Sequence, residues 1–426
     1  MMIKKLGIVF VMMGLLIGGI VIANRLGSHL NDANEEPTEY DTALFGETPT
    51  EEIENNQINF EEIDYIKTLV HTELFDANHN ALGMIGAHQT FAVEAVVNDQ
   101  LLKLVDLPFY VQYDQVERTT VLQTTEPIAL DLSRYLAFEQ MIAQGEAVNF
   151  YHLDHTFAFR LNHIETDLNI YMQKENYFYV NYLNTYFLVA KDEVALIDNP
   201  NVLPEMTHIP VLMYHFFCNP AEGVACRDGN WIERDHFEEH MRYLRDNDFT
   251  TLKMVDIERF LHGSVRLPER SVAITIDDAH PTLFEYAYPL LVAYNQNATT
   301  FAITHHPQDW ETLLLSDHLE LHAHSHDMHR GHCDTGRGGL MQCIDFEEGV
   351  ADLLYARSLL NDTTVFCYPF GDYNAHAIAM LEEAGFTLAF TTQNGLVTRE
   401  STPLLLPRIR VSTETHLAQF RYLVHP

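Results

Sequence analysis

Two adjacent carboxylates and two nearby histidines are the side chains of this sequence best suited to catalytic chemistry. Asp277 and Asp278 end the apolar run AITIDD, and His324 and His329 bracket the polar stretch HSHDMH. Neighbouring carboxylates repel each other unless a cation lies between them, and Asp and His are common ligands of divalent metals. A metal held by one Asp and two His, with the second Asp free to move a proton, is a hydrolytic arrangement.

Each pair also has a plainer interpretation. An Asp-Asp pair is a good helix N-cap, and Pro281 could open a helix just after it. The eight histidines between His305 and His332 suit a surface loop. Histidines five residues apart point away from each other on a helix but can meet in a turn. Two other pairings at helical spacing remain open: His322 with His326, and His326 with His329.

Residues 209–426 alternate between apolar runs, typical of buried strands, and amphipathic stretches, typical of helices. The runs predict strands at residues 209–214, 272–276, 299–304, 319–323, 365–368, 388–391 and 404–409. Two amphipathic stretches predict helices, at residues 235–245 and 376–384. This alternation predicts an α/β fold with a parallel sheet covered by helices, in the form of a (β/α) barrel. The carboxylates and His324 would then stand at C-terminal strand ends, where such folds carry out chemistry.

The first 30 residues contain an uncharged apolar stretch, residues 6–23, behind Lys4 and Lys5. At ~1.5 Å per helical residue, this stretch is just long enough to cross the core of a bilayer. Two cations before it and an acidic chain after it predict a single-pass anchor in the cell membrane, with the catalytic domain extracellular. A cleaved signal peptide, which would leave a secreted protein, is the alternative. Residues 31–64 are rich in Glu, Asp, Asn, Thr and Pro and predict an acidic, disordered stalk.

A smaller β-rich domain is predicted at residues 65–200, ahead of the catalytic domain at residues 205–426. Paired apolar runs predict two hairpins, one from residues 90–97 and 101–105, the other from residues 177–182 and 186–189. One helix is predicted at residues 132–144, where Gly145 would end it. Such a domain is either a binding module for wall polymer or a spacer without a ligand.

The net charge of the chain restricts its binding partners, and its cysteines indicate the compartment in which it works. The sequence has 25 Lys and Arg against 61 Asp and Glu, a net charge of −36, which argues against a nucleic-acid partner because phosphates would be repelled. Cys218 with Cys226, and Cys333 with Cys343, predict two disulfides in an oxidising exterior and leave Cys367 free. A zinc site made of cysteines is the weaker alternative, since the sequence lacks the usual C-x-x-C spacing.

Three motifs in order resemble those of the polysaccharide deacetylase family of carbohydrate esterases. They are TIDD ending at Asp278, HSxxxH from His324 to His329, and YPFG ending at Gly371. The resemblance spans residues 209–423. The five-residue histidine spacing is similar to the branch that deacetylates poly-N-acetylglucosamine exopolysaccharide.

The resemblance implies a distorted, incompletely closed (β/α) barrel and a role for each motif residue. Asp277 would be the general base, while a divalent metal ion, zinc first among the options, would be held by Asp278, His324 and His329. His215 and Phe370 would contact the substrate, Phe370 through its backbone N–H at the oxyanion. The partner implied is an acetylated polysaccharide.

The sequence departs from the family pattern at three points. Ala279 replaces a glycine after the Asp pair, and Cys367 replaces an arginine. Arg408 or Arg410 would supply the missing guanidinium to Asp277, and we favour Arg408 as the catalytic residue. The usual motif for the general acid is not evident. Its candidates are five histidines: His215, His280, His322, His326 and His416.

We therefore expect a metal-dependent enzyme that removes N-acetyl groups from an extracellular N-acetylglucosamine polymer, either exopolysaccharide or peptidoglycan. An O-acetyl esterase acting on xylan or another glycan would use the same chemistry. A catalytically inactive glycan-binding surface protein is the alternative from another class.

Overall fold

Short strands with alternating side chains make up the first part of the fold. The computed structural model describes residues 65–98, 100–105, 107–120, 130–307 and 316–425. Fourteen strands precede the barrel in these residues: β1 (Tyr65–Thr68), β2 (Thr72–Phe75), β3 (Ala81–Ile85), β4 (Thr90–Asn98), β5 (Leu101–Leu104), β6 (Tyr110–Gln112), β7 (Val116–Thr119), β8 (Gln140–Ile142), β9 (Val148–Tyr151), β10 (Phe157–Leu161), β11 (Leu168–Lys174), β12 (Tyr177–Tyr182), β13 (Thr185–Ala190) and β14 (Leu196–Asp198).

All pairings among these strands are antiparallel, in the order β14-β8-β11-β12-β13-β9-β10-β3-β2-β6-β5-β4-β1-β7. Both predicted hairpins are present, as β4–β5 and β12–β13. In the second hairpin Tyr182 pairs with Thr185, so the turn has two residues, Leu183 and Asn184. Both have positive φ (52° and 63°), which matches the right-handed twist of the strands.

The helix predicted at residues 132–144 is wrong. The carboxylate of Asp131 instead accepts hydrogen bonds from the backbone N–H and hydroxyl of Ser133, which fixes a turn. Tyr135 is buried and donates its hydroxyl to Asp256 of the barrel region, 2.5 Å away. Residues 140–142 then pair as β8 with both β11 and β14. Long-range contacts therefore override the local helical pattern.

The remaining strands belong to the barrel region. They are β15 (His208–Ile209), β16 (Val211–Tyr214), β17 (Phe216–Cys218), β18 (Trp231–Glu233), β19 (Thr250–Thr251), β20 (Ser271–Asp278), β21 (Ala298–Ala302), β22 (Leu319–Ala323), β23 (Val365–Cys367), β24 (Leu388–Asn394), β25 (Val397–Thr398) and β26 (Leu406–Arg410). Seven of them pair in parallel in the ring β16-β26-β24-β23-β22-β21-β20. All seven predicted strands are therefore present, the first of them interrupted at Pro210 because proline has no N–H to donate.

The ring is closed, so the expectation of an incompletely closed barrel is wrong. Four consecutive pairs join β16 to β20, from Val211 with Ala273 to Tyr214 with Ile276. The weakest point lies elsewhere, between β22 and β23, where Ala323 with Phe366 is the recorded pair. A closed ring leaves its strands no free edge and holds their C-terminal ends at one mouth.

Helices cover the ring from outside. The described α-helices are α1 (Arg234–Asp246), α2 (Met254–Leu261), α3 (Tyr288–Ala293), α4 (Phe346–Leu359), α5 (Ala375–Glu383) and α6 (Leu417–Val424). Two of them are the predicted helices, α1 and α5. In α1 the buried residues recur at helical spacing, namely Phe237, His240, Met241 and Leu244. The carboxamide of Asn374 caps the first turn of α5 by accepting from Ala377 N–H.

The β-rich region and the barrel share a hydrophobic cluster. It joins Tyr135, Met172 and Tyr179 to Ile257 and Phe260 of α2, among other residues. All described residues belong to one compact unit, Asn59–Pro426. The domain limits 65–200 and 205–426 stay a prediction.

No helix among the described residues is long and apolar enough to cross a membrane. The predicted anchor within residues 1–30 and the predicted stalk at residues 31–64 lie outside the described residues. Both disulfides were predicted correctly: Cys218 bonds with Cys226, Cys333 bonds with Cys343, and Cys367 is free and buried.

Candidate active site

The two aspartates stand where β20 ends. Seven of the eight side chains of this strand are buried, which fixes its path through the barrel. Asp278 and Ala279 then both adopt positive φ (73° and 49°), and this sharp turn keeps both carboxylates at the mouth. Ala279, which replaces the family's glycine, therefore occupies a conformation that favours glycine, at a cost of roughly 1 kcal/mol.

Asp278, His324 and His329 form a compact group of potential metal ligands. Oδ1 of Asp278 lies 3.5 Å from Nε2 of His324 and 3.6 Å from Nε2 of His329. The ligand atoms all lie within 4.8 Å of one another. The same Oδ1 is buried and has no hydrogen-bond partner among the described residues. Buried polar atoms are rarely left unpaired, so this geometry fits a divalent cation between the three side chains.

The protonation states of the two histidines also suit a metal. The carbonyl oxygen of Cys367 lies 2.7 Å from Nδ1 of His324, which orients Nε2 toward Asp278. Burial, and then the neighbouring His329, lower the pKa of His324 to about 3, and burial also lowers the pKa of His329. Both rings are thus neutral at physiological pH, as metal ligation requires. Burial and then the charge of Asp277 raise the pKa of Asp278 to about 7. A cation beside Asp278 would remove this cost of ionising its carboxyl group.

Asp277 is held by Arg408 rather than by a metal. Nη1 and Nη2 of Arg408 donate to Oδ1 and Oδ2 of Asp277 at 2.7 and 2.8 Å. Burial opposes ionisation of Asp277, but the Arg408 charge outweighs it and holds the pKa of Asp277 well below its usual range. Asp277, His324 and Cys367 also come close enough to ligate an ion, but the Arg408 guanidinium contacts this group and would repel a cation.

The structure distinguishes the two candidate arginines. Arg408 is fully buried, and its Nε donates to the carbonyl oxygen of Thr391 at 2.9 Å. Arg410 lies further out along the same strand, where it is exposed and donates to Asn230. Arg408 is therefore the residue that positions Asp277, as favoured from the sequence.

Two further side chains contact Arg408, and neither contact was predicted from the sequence. Thr275 accepts from Nη1 of Arg408 through its hydroxyl at 3.0 Å, and Cys367 accepts from Nη2 through its sulfur, also at 3.0 Å. Burial raises the pKa of the Cys367 thiol well above its usual value, so the sulfur stays neutral beside Asp277. The replacement of the family's arginine by Cys367 was the one sequence signal for this arrangement.

The candidate proton donors separate into two groups. Nε2 of His215 lies 3.6 Å from Oδ2 of Asp277, and burial lowers the pKa of His215. His280 lines a cavity of about 310 Å³ beside Asp278 and His329. The other three contact residues away from Asp277: His322 meets Thr363, His326 meets Thr304, and His416 meets His236.

Phe370 borders the metal-ligand group. It lies in the turn Pro369–Gly371 after β23, with φ 60° and ψ 0°, and its ring centre is 4.5 Å from that of His329. The structure thus brings all seven predicted site residues to one end of the barrel: Asp277, Asp278, His324, His329, Arg408, His215 and Phe370.

Part of this chain matches the model of a known protein family. Residues 264–389 match the family model described as polysaccharide deacetylase. YxkH of Bacillus subtilis (strain 168), a protein assigned to the polysaccharide deacetylases, is 28% identical over 211 residues, which cover 48% of this chain and 71% of YxkH. The poly-beta-1,6-N-acetyl-D-glucosamine N-deacetylase of Staphylococcus aureus (strain MRSA252) is 24% identical over 202 residues, which cover 43% of this chain and 68% of the relative.

Two solved structures superpose on about half of this chain. The Streptococcus pyogenes deacetylase PplD, in complex with acetate, superposes with a TM-score of 0.45 at 21% identity over 51% of this chain and 99% of its own. IcaB from Ammonifex degensii superposes with a TM-score of 0.44 at 21% identity, over 52% of this chain and 99% of its own.

Proposed function

Because this chain belongs to the polysaccharide deacetylase family and is an enzyme of that class, we propose that it hydrolyses N-acetyl groups of an extracellular N-acetylglucosamine polymer with the help of a divalent metal ion. The observation that carries the proposal is the pairing of two differently held carboxylates. Asp277 is fixed by Arg408, while Asp278 faces two neutral histidines only a few ångströms away.

The metal would be held by Asp278, His324 and His329. Zinc suits one carboxylate and two imidazoles, although such a set also accepts other divalent ions. When bound, the ion supplies Lewis acidity toward the acetyl group and toward water.

Asp277 acts as the general base. Its low pKa keeps it ionised at neutral pH, so its carboxylate is available to accept a proton from the attacking water. The two hydrogen bonds from Arg408 prevent the carboxylate from rotating, which fixes the direction of proton transfer. Water adds to the acetyl carbonyl, the C–N bond breaks, and the products are acetate and a free amine.

His215 and Phe370 complete the site around the substrate. His215 is the candidate nearest to Asp277, so it binds the sugar beside the scissile bond, while the proton that Asp277 takes from water passes to the leaving amine. The backbone N–H of Phe370 contributes a hydrogen bond to the oxyanion, where one such donor is worth roughly 10²–10³ in rate.

Three observations support the extracellular polymer. The Staphylococcus aureus relative is named for poly-β-1,6-N-acetylglucosamine. Two disulfides suit an oxidising compartment. The apolar residues 6–23 suit a membrane anchor or a signal peptide.

The test is acetate release from β-1,6- and β-1,4-linked N-acetylglucosamine oligomers by the wild type and Asp277→Asn. We expect release from at least one linkage, and a roughly 10²–10⁴-fold loss in Asp277→Asn because the proton acceptor is gone. Asp327→Asn removes another carboxylate bordering the same cavity and is the matched control. Equal activity of wild type and Asp277→Asn would overturn the assignment of the base. If acetate is released from neither linkage, the N-acetyl substrate is wrong and an O-acetyl substrate is assigned to the site instead.

A further inference from the structure

A second cleft, of about 800 Å³, lies between the β-rich region and α2 of the barrel. One wall comes from the ends of β-strands and their turns and includes His155, Lys174, Glu175 and Lys191. The opposite wall comes from α2 and the turn after it and includes Glu258, Arg259, His262 and Ser264. Its volume falls within the range typical of ligand sites, which often form where two structural regions meet.

The cleft is held in shape by contacts between its two walls. The backbone N–H of Gln173 donates to the carbonyl oxygen of Ser264 at 2.9 Å, and its side-chain amide donates to that of Gly263 at 3.3 Å. Buried Met172 and Tyr179 line the cleft and also belong to the hydrophobic cluster shared with the barrel. The walls are therefore fixed before any ligand arrives, which lowers the entropic cost of binding.

The cleft is lined by three cations and two carboxylates, which is a small surplus of positive charge on a strongly acidic chain. Lys174, Lys191 and Arg259 all line it, although the chain has only 25 Lys and Arg against 61 Asp and Glu. None of the three forms an ion pair with a carboxylate of the described residues. Glu175 and Glu258 line the same cleft but leave these cations unpaired.

Lys191 and Arg259 each contact an aromatic residue, and these contacts restrict the motion of the two side chains. The ammonium of Lys191 lies 5.3 Å from the ring centre of Phe178. Arg259 donates through Nη1 to the hydroxyl of Tyr135 at 2.9 Å, which uses one of its five N–H groups. The remaining donors are available to an anion.

This cleft is separate from the candidate active site. Gly263 and Ser264 precede β20, whereas Asp277 and Asp278 end it. A strand of eight residues spans roughly 25 Å, so the cleft lies toward the opposite end of the barrel from the carboxylates. A ligand there contacts none of the residues assigned to hydrolysis.

We propose that this cleft binds an acidic polysaccharide. Lys174, Lys191 and Arg259 contact its carboxylate or phosphate groups, and Glu175 and Glu258 accept hydrogen bonds from sugar hydroxyls. Because the rest of the chain repels polyanions, binding is confined to this local surplus of positive charge. An acidic matrix bound here would hold the enzyme near its polymer and raise the effective substrate concentration at the barrel mouth.

The test measures binding of three oligosaccharides to the full chain by titration calorimetry. Hexagalacturonate carries carboxylates, mannopentaose 6-phosphate carries a phosphate, and mannopentaose is the neutral match. We expect binding of at least one acidic oligomer, and weaker binding as salt is raised. The double variant Lys174→Gln/Lys191→Gln should bind roughly tenfold more weakly, because two charge-assisted contacts are lost.

The matched control is Lys103→Gln, which removes a lysine paired with Glu94 and outside the cleft. Its binding should equal that of the wild type, and acetate release from a short neutral substrate should be unchanged in both variants. Thermal unfolding of each variant checks that the fold is intact. The proposal would be overturned if neither acidic oligomer binds, or if the double variant binds as tightly as the wild type. It would also be overturned if all three oligosaccharides bind with equal affinity.

Discussion

At the scale of single residues, the site depends on how two neighbouring carboxylates are kept different. Asp277 receives two hydrogen bonds from a buried guanidinium, whereas Asp278 has a buried oxygen without a partner in the described residues. The first environment stabilises an anion by itself, and the second requires a cation. The positive φ of Asp278 and Ala279 makes this separation possible within two consecutive residues.

Arg408→Lys tests the role of the guanidinium. Lysine keeps the positive charge but cannot donate two parallel hydrogen bonds, so Asp277 loses its fixed orientation. We expect a roughly 10²-fold fall in kcat/KM for acetate release, with metal content unchanged. Arg410→Lys, on the exposed end of the same strand, is the control and should retain wild-type rates. Equal losses in the two variants would contradict a specific role for Arg408.

Part of this site could be predicted from residue types and part could not. The two Asp and two His were found because their types and order are informative. The choice between Arg408 and Arg410 was harder, since residues two apart on a strand share a face. Only their depth in the barrel distinguishes them, and depth depends on where neighbouring strands end.

At the scale of elements, the last helix is tied to the first through a buried histidine. His240 of α1 stacks on Phe420 of α6, with ring centres 3.9 Å apart. Its Nδ1 lies 3.1 Å from the hydroxyl of Tyr214, and its Nε2 lies 3.1 Å from the carbonyl oxygen of Thr415. A neutral ring satisfies both contacts, because Nε2 donates to the carbonyl and Nδ1 accepts from the hydroxyl.

This contact predicts a loss of stability in mild acid. Burial lowers the pKa of His240 from 6.5 to about 3, so the unfolded chain binds the proton first as pH falls. The His240 contribution is therefore complete above pH 6.5 and is lost progressively toward pH 3, by about 2 kcal/mol at pH 5.

The measurement is urea unfolding of wild type and His240→Gln between pH 5 and 8. The variant should be less stable at pH 8, because packing on Phe420 is lost, yet its stability should fall less between pH 7 and 5. Exposed His332→Gln should follow the wild-type pH dependence. Parallel pH profiles for wild type and His240→Gln would contradict a buried neutral histidine.

The elements also show where sequence patterns succeed and fail. Buried parallel strands read as continuous apolar runs, so all seven barrel strands could be placed from the sequence. The stretch at residues 132–144 has a helical pattern, but Tyr135 is drawn into a contact with Asp256, more than a hundred residues away. Such a partner leaves no local signal.

At the scale of the whole molecule, one closed barrel carries chemistry at one end and a cationic cleft toward the other. Closure of the ring between β16 and β20 could not be read from the sequence, because it depends on the register of strands some 60 residues apart. The hydrophobic cluster around Tyr135 and Phe260 could not be predicted from the sequence either, because its residues come from both the β-rich region and the barrel.

The proposed hydrolysis depends on a metal held by Asp278, His324 and His329. The most direct measurement is acetate release from an N-acetylglucosamine oligomer by chelator-treated full-length protein, followed during titration with zinc. We predict no release without metal and full recovery at one equivalent of zinc, with the fold unchanged throughout. Undiminished release by a folded, metal-free protein would contradict a metal-dependent mechanism.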